Sequence, residues 1–257
     1  GHARALAGIA DRQKIERIVS QAMTVLFVIR HGQASFGNEQ YDKLSELRML
    51  QARILGDFLR RCGIGFDGFF SGPKNRQIQT AATVMGQMFP EGAVPRATVL
   101  DELSEYDAAR IIKRYFEGEG YSSDQAVQKI KETLKDPDNF FQIFRGAVRM
   151  WFAGQLSTEG LESRTEFRER VVRGLARIGA AGGRNTKNLV FTSGGVIAAV
   201  MQEALGVADE TAFDLAWDIR NASISVFEYR HGKLKLLSFN SVAHLEIEAD
   251  PRLLTYR

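Results

Sequence analysis

Two kinds of apolar pattern alternate along this chain. Residues 24–30 (TVLFVIR) form a near-continuous apolar and β-branched run, the pattern of a strand covered on both faces. Residues 66–71, 94–100 and 188–192 (NLVFT) are further runs of this kind. Between them lie stretches of helical spacing at 45–61, 73–88, 163–180 and 194–205. Ser45 is placed to cap the first, Pro73 opens the second and Gly194-Gly195 the last. Residues 223–229 and 233–239 flank His231-Gly232 as a β-hairpin. Strands alternating with helices in this way predict an α/β fold, a three-layer αβα sandwich around a mostly parallel sheet.

Two segments break the rhythm. Residues 104–160 mix helix formers with Tyr106, Tyr115, Phe116, Phe140, Phe141, Phe144 and Trp151, and predict a helical insertion lying over the site as a lid. Their aromatics and basic residues (Lys113, Arg114, Lys131, Lys135, Arg145, Arg149) suit substrate contact; they suit equally well an insert core with a solvated face. Residues 1–22 form an N-terminal extension. Leu6, Ile9, Ile15, Ile18 and Val19 there have helical spacing, and Gly1-His2 resembles a remnant of tag cleavage. Residues 23–257 are expected to form a single domain.

Composition narrows the function classes. Of the 257 residues 44% are hydrophobic and 25% charged, the mix of a chain with a real core. The net charge of +3 is spread along the chain and gives no expectation of nucleic-acid binding. The single cysteine, Cys62, excludes an intrachain disulfide or a cysteine metal cluster, and reads as a small buried residue at a helix end. No apolar run reaches the roughly 18–20 residues that span a bilayer, and no signal-peptide pattern opens the chain. A cytoplasmic protein without membrane contact is expected.

In a parallel sheet, ligands bind beyond the carboxyl ends of the strands. Unusual residues stand at those places. Arg30-His31-Gly32 closes the first strand: arginine matches phosphate oxygens with a planar fork, and a neutral imidazole can attack phosphorus. Arg76, in Ser71-Gly72-Pro73-Lys74-Asn75-Arg76, falls at a helix start, where anions are favoured. Leu100-Asp101-Glu102 follows the third strand and offers a carboxyl group as general acid; Asp101 and Glu105 are alternatives.

These elements, in this order, resemble the histidine phosphatase superfamily, the phosphoglycerate mutase-like fold. The matching stretches are RHGQ (30–33), LSEL…QA (44–52), SGPxxRQxQTA (71–81), LDE (100–102), GLES (160–163), SGGVI (193–197) and FNSVAHL (239–245). The resemblance implies a catalytic pair of His31, phosphorylated in the reaction, and Glu102 as acid/base. It implies phosphate binding by Arg30 and Arg76, with Ser193 and Gly194 beside them. No metal and no cofactor are implied, and the expected partner is a phosphorylated small molecule. A homodimer is left open.

The pattern is broken at one place. The family's second histidine, in a Ser-His-Gly-Gly context, is replaced by Ser193 within Phe191-Thr192-Ser193-Gly194-Gly195. A hydroxyl donates a hydrogen bond but carries no positive charge. Losing one pre-organised donor in such a site costs on the order of 10²–10³ in rate. Two readings follow: a working or slowed phosphate-monoester hydrolase, or a phospholigand-binding scaffold of the same fold. A phosphoglycerate mutase-type phosphotransferase is a third, weakened because the Trp-Asn-rich stretch usual after RHG in mutases is missing. Lesser features are Ser35 and Asn38 as substrate contacts, Arg48 as a helix-surface residue, His244 as a hydrogen-bonded structural histidine, and His231 as a turn residue.

Overall fold

The computed structural model describes residues 23–32, 46–181 and 185–256. The N-terminal extension, the predicted cap Ser45, and Ser35 and Asn38 lie outside the described residues.

Six strands form one sheet. They are β1 (Met23–Arg30), β2 (Gly68–Ser71), β3 (Thr98–Val99), β4 (Thr186–Thr192), β5 (Ile224–Arg230) and β6 (Lys233–Ser241), in the order β3-β2-β4-β1-β5-β6. β1, β2, β3 and β4 run parallel; β5 and β6 are antiparallel at one edge. The β5–β6 hairpin turns on His231 (φ 51°) and Gly232 (φ 74°), the two successive left-handed residues that a tight two-residue turn requires. The predicted third strand, 94–100, shrinks to two residues. Only Thr98 and Val99 find partners, on Phe70 and Ser71 of the short β2.

Each face of the sheet is covered because its strands carry apolar side chains on both sides. On one face Ile29, Phe69, Leu189 and Phe191 meet Ala52, Leu55 and Leu59 of α1 (Glu46–Arg61) and Ala81, Val84 and Met85 of α2 (Asn75–Met88). On the other, Leu26, Val28, Val190 and Phe227 meet α6 (Arg164–Ala181) and α7 (Gly194–Leu205). This is the three-layer α/β sandwich. The insertion adds α3 (Ala108–Gly118), α4 (Ser123–Thr133) and α5 (Pro137–Phe152) to the second face. Its core includes its own aromatics: Trp151 packs on Phe152 and Tyr106, and on Phe167 of α6, at 5.1–5.8 Å between ring centres. The helix α8 (Asp209–Asp218), not anticipated from the pattern, packs against α5 and α7 through Ala212 and Phe213.

Two local expectations are corrected. Cys62 is exposed, because it follows the last residue of α1 where the chain turns into Gly63. Arg48 is buried, not on the helix surface. The first turn of α1 lies so close to the exit of β1 that a Cβ on Gly32 would meet Arg48 Cβ at 2.9 Å.

Candidate active site

The carboxyl ends of the four parallel strands converge on a cavity of about 350 Å³. β1 delivers Arg30 and His31; the β2 exit delivers Lys74 and Arg76; the loop after β3 delivers Glu105 and Tyr106; the β4 exit delivers Gly194 and Gly195. The starts of α2 and α7 both face it, so two helix dipoles add to the positive potential.

His31 is held on every side. Its backbone N–H donates to Thr192 (2.8 Å), extending the β1–β4 register, and its carbonyl accepts from the Asn221 amide (3.1 Å). The ring lies 2.5 Å from the Gly32 carbonyl at Nδ1, so Nδ1 carries the proton and donates. Nε2 therefore keeps its lone pair, which accepts from Arg76 Nε at 3.1 Å. Burial, then the Arg76 and Arg30 charges, hold the imidazole pKa well below the usual histidine value, against the pull of the Gly32 carbonyl. A neutral imidazole whose Nε2 lies beside the Arg76 guanidinium has the chemistry of a nucleophile toward an anionic electrophile. Arg30 is oriented by donating to the main-chain carbonyls of Ile219 and of Tyr256 (2.8 Å to the latter).

The loop after the third strand places its carboxylates differently. Glu102 does not line the cavity. Its carboxylate pairs with Arg177 of α6 at 2.7 Å, and this hydrogen bond holds its pKa below the usual glutamate value. A carboxylate so fixed in its charged form has little proton to give. Glu105 instead lines the cavity. Its oxygens accept from the Gly195 N–H (3.0 Å) and the Tyr106 N–H (3.1 Å), yet burial outweighs these bonds and raises its pKa. The approach of α7 to this carboxylate requires glycine: a Cβ on Gly195 would sit 2.3 Å from Glu105 Oε1. The sequence does contain the signal, since Leu103-Ser104-Glu105 repeats the Leu-x-Glu spacing of Leu100-Asp101-Glu102 three residues later.

A second arginine, not anticipated, shapes this loop. Arg170 of α6 donates through Nη1 to the carbonyls of Asp101, Glu102 and Ser104 at 3.0–3.1 Å. Its other edge makes a two-point contact with Glu162 at 2.6 and 2.8 Å. Glu162 thereby gives the GLES stretch a physical role: it aims the fork that holds the Glu105 loop.

Ser193 stands fully buried and does not line the cavity, whereas Gly194 does. The Ser193 hydroxyl accepts from Gln77 Nε2 at 2.9 Å. The same amide reaches the Leu103 carbonyl at 3.1 Å, and Gln77 Oε1 accepts from the Lys74 N–H at 3.0 Å. Gln77 thus ties the exits of β2, β3 and β4 together beneath the cavity. The other described histidines lie elsewhere. His244 packs on Phe58 at 5.6 Å on the α1 side, and its ring nitrogens make no hydrogen bond of good geometry, contrary to the expectation of a hydrogen-bonded histidine. His231 is in the hairpin turn.

The basic residues of the insertion do not line the cavity. Lys113 and Arg114 pair with Glu117, and Arg145 and Arg149 face Asp214. Two of its aromatics, Phe141 and Phe144, do line it, together with Trp217 of α8.

The sequence model of the histidine phosphatase superfamily (branch 1) matches residues 26–242. The chain belongs to this superfamily. Membership makes it a phosphoryl-transfer enzyme by family and accounts for the arrangement of His31 among arginines at the strand exits. No curated protein matches the chain significantly. Among solved structures, a phosphoglycerate mutase from Bacillus anthracis str. Sterne superposes with a TM-score of 0.58 at 18% identity, covering 90% of this chain and 99% of the other. A phosphoserine phosphatase mutant from Entamoeba histolytica, in complex with phosphoserine, gives 0.59 at 19% identity, covering 86% and 99%. A mycobacterial glucosyl-3-phosphoglycerate phosphatase gives 0.55 at 20% identity, covering 85% and 99%. At these identities the likeness is one of fold. Among the described residues no helix is long and apolar enough to cross a membrane.

Proposed function

We propose that the chain hydrolyses small phosphate monoesters through a phosphohistidine on His31. The observation that carries this reading is the hydrogen bonding of the His31 ring: Nδ1–H is spent on Gly32, and Nε2 points its lone pair toward Arg76. In the first step Nε2 forms a bond to phosphorus as the ester P–O bond breaks, and Glu105 passes its proton to the leaving alkoxide. In the second, water forms a P–O bond as the P–Nε2 bond breaks and gives its proton to the Glu105 carboxylate, releasing inorganic phosphate and the free imidazole. Arg30 and Arg76 hold the phosphoryl oxygens and neutralise their charge, so the steps need no metal ion.

The buried Gln77–Ser193 pair supports a site that works without a second imidazole, with the Gly194 end of α7 facing the phosphate. The test is hydrolysis of 4-nitrophenyl phosphate by the wild type and His31→Ala. The expected result is turnover lost in the variant and a phosphohistidine found by mass spectrometry on trapped wild type. Equal, trace turnover in both, with no phosphohistidine, would leave a phospholigand-binding protein of this fold. Phosphoryl exchange between positions of 3-phosphoglycerate without phosphate release would instead favour the mutase reading.

A further inference from the structure

We infer that the preferred substrate is a small phosphate monoester whose alcohol carries a flat apolar ring, seated against Phe141, Phe144 and Trp217. This rests on the hydrolase reading of the same cavity and names the part of the substrate that His31 does not touch.

The cavity is chemically two-ended. Among the described residues its cations are Arg30, Lys74 and Arg76, all at the exits of β1 and β2 beside His31. Away from them the insertion and α8 contribute a run of apolar side chains to the wall: Ala108, Ala109, Phe141, Phe144, Ala216 and Trp217. Phe141 and Phe144 each stand edge-on to the Trp217 indole, at 5.3 and 5.4 Å between centres with interplanar angles of 86° and 77°. All three rings are only half-buried, so apolar surface remains open on the cavity side. An edge-to-face cluster of this kind offers a further ring both stacked and perpendicular contacts.

Charge argues in the same direction. Arg145 and Arg149 of the insertion face Asp214, Arg145 lying over the Trp217 ring at 5.9 Å from its centre, and neither is among the described residues that line the cavity. The acidic side chains that segment 104–160 contributes to the wall are Glu105 and Asp107. A phosphorylated sugar acid would find no partner for its carboxylate at that end and would meet repulsion. The volume of about 350 Å³ lies near the lower limit of ligand cavities, which suits a single ring.

The decisive measurement is binding of two non-hydrolysable probes, benzylphosphonate and methylphosphonate, by titration calorimetry. The wild type is expected to bind benzylphosphonate tighter by at least tenfold, within the roughly 10–200-fold range of one apolar group in a fitted pocket. In Phe141→Ala that ratio should shrink toward unity. Phe141 lies outside the buried apolar cluster of the insertion, so its removal spares the core. Equal wild-type affinities for the two probes overturn the inference, whatever the variant does. Kinetics separate it from the hydrolase reading, using benzyl phosphate and 3-phosphoglycerate, both esters of poor leaving alcohols. A higher kcat/KM for benzyl phosphate supports both readings; tight benzylphosphonate binding with no hydrolysis of either ester keeps the ring subsite and removes the hydrolase.

Discussion

At the scale of single residues, the proposed mechanism rests on two opposed protonation preferences. Burial and two guanidinium charges keep His31 neutral, whereas burial with too few compensating donors keeps a proton on Glu105 to higher pH than an ordinary glutamate. The sign for activity follows directly. The His31 pKa lies well below its usual value, so acidification through the normal histidine range should leave the nucleophile intact. Glu105 loses its proton as pH rises through its raised pKa, so the alkaline side of the kcat profile should report the acid. Glu105→Gln is expected to lower kcat on a poor leaving group by about 10²–10⁴ and to abolish that alkaline limb. With 4-nitrophenyl phosphate, whose leaving group needs no proton, the same variant should show a burst followed by slow turnover of the phosphoenzyme. Glu102→Gln should retain both the limb and most of the rate, since its carboxylate is committed to Arg177. If Glu102→Gln shows the larger loss, the acid has been assigned to the wrong loop residue.

At the scale of elements, the strand exits are held in register by side chains that touch no substrate. Gln77 bridges Lys74, Leu103 and Ser193, all of it buried. A histidine at 193 would have to enter space that the Gln77 amide fills. Ser193→His alone is therefore expected to destabilise by roughly 1–3 kcal/mol through overpacking. Adding Gln77→Ala should recover part of that loss, and urea unfolding of the four members of the cycle should show clear non-additivity. Additive effects would mean that the two positions do not share space. Arg170 acts on the neighbouring loop. Arg170→Lys retains the charge but not the fork that serves Glu162 and three carbonyls, so Glu105 should lose its aim. A kcat reduced by about 10²-fold with little change in KM is expected from an Ångström-scale misplacement. A change confined to KM would instead place the effect on binding.

The same elements show how much the sequence discloses. The runs at 24–30 and 188–192 are buried on both faces, so local composition alone marks them as central strands. The segment 94–100 carries similar residues but mostly lacks a partner to pair with, because β2 is only four residues long. Arg30, His31 and Arg76 were legible because strand ends and helix starts are local features. Glu105 was not separable from Glu102: both complete a Leu-x-Glu spacing, and what distinguishes them is Arg177, seventy-five positions away from Glu102.

At the scale of the whole molecule, the sheet divides two apolar layers, and acid stability is written into one of them. His244 packs against Phe58 on the α1 side, and burial lowers its pKa from 6.5 to about 4. Between those values the unfolded chain binds the proton and the folded one does not, so stability rises with pH there. The contribution is fully present above pH 6.5 and is lost as pH falls to about 4, amounting to roughly 3 kcal/mol at 1.36 kcal/mol for each unit. His244→Phe retains a ring on Phe58 and removes the titration. Its urea midpoint should fall less than that of the wild type between pH 6.5 and 4; parallel curves would assign the acid sensitivity to other groups.

What the sequence determined by itself is everything that depends on neighbours in the chain. Apolar period sets which segments are strands and which are helices, and the residue at each strand exit sets which chemistry reaches the open end of the sheet. Arg30, His31 and Arg76 belong to that class. Only the tertiary structure decided that Glu105 lines the cavity while Glu102 pairs with Arg177, that Ser193 is sealed under Gln77 instead of facing the cavity, and that the insertion presents rings there and not its arginines. Those outcomes depend on burial and on partners brought from distant segments. The free energy of a charged or polar group is set by those partners and by its distance from water, and neither is a property of the local sequence.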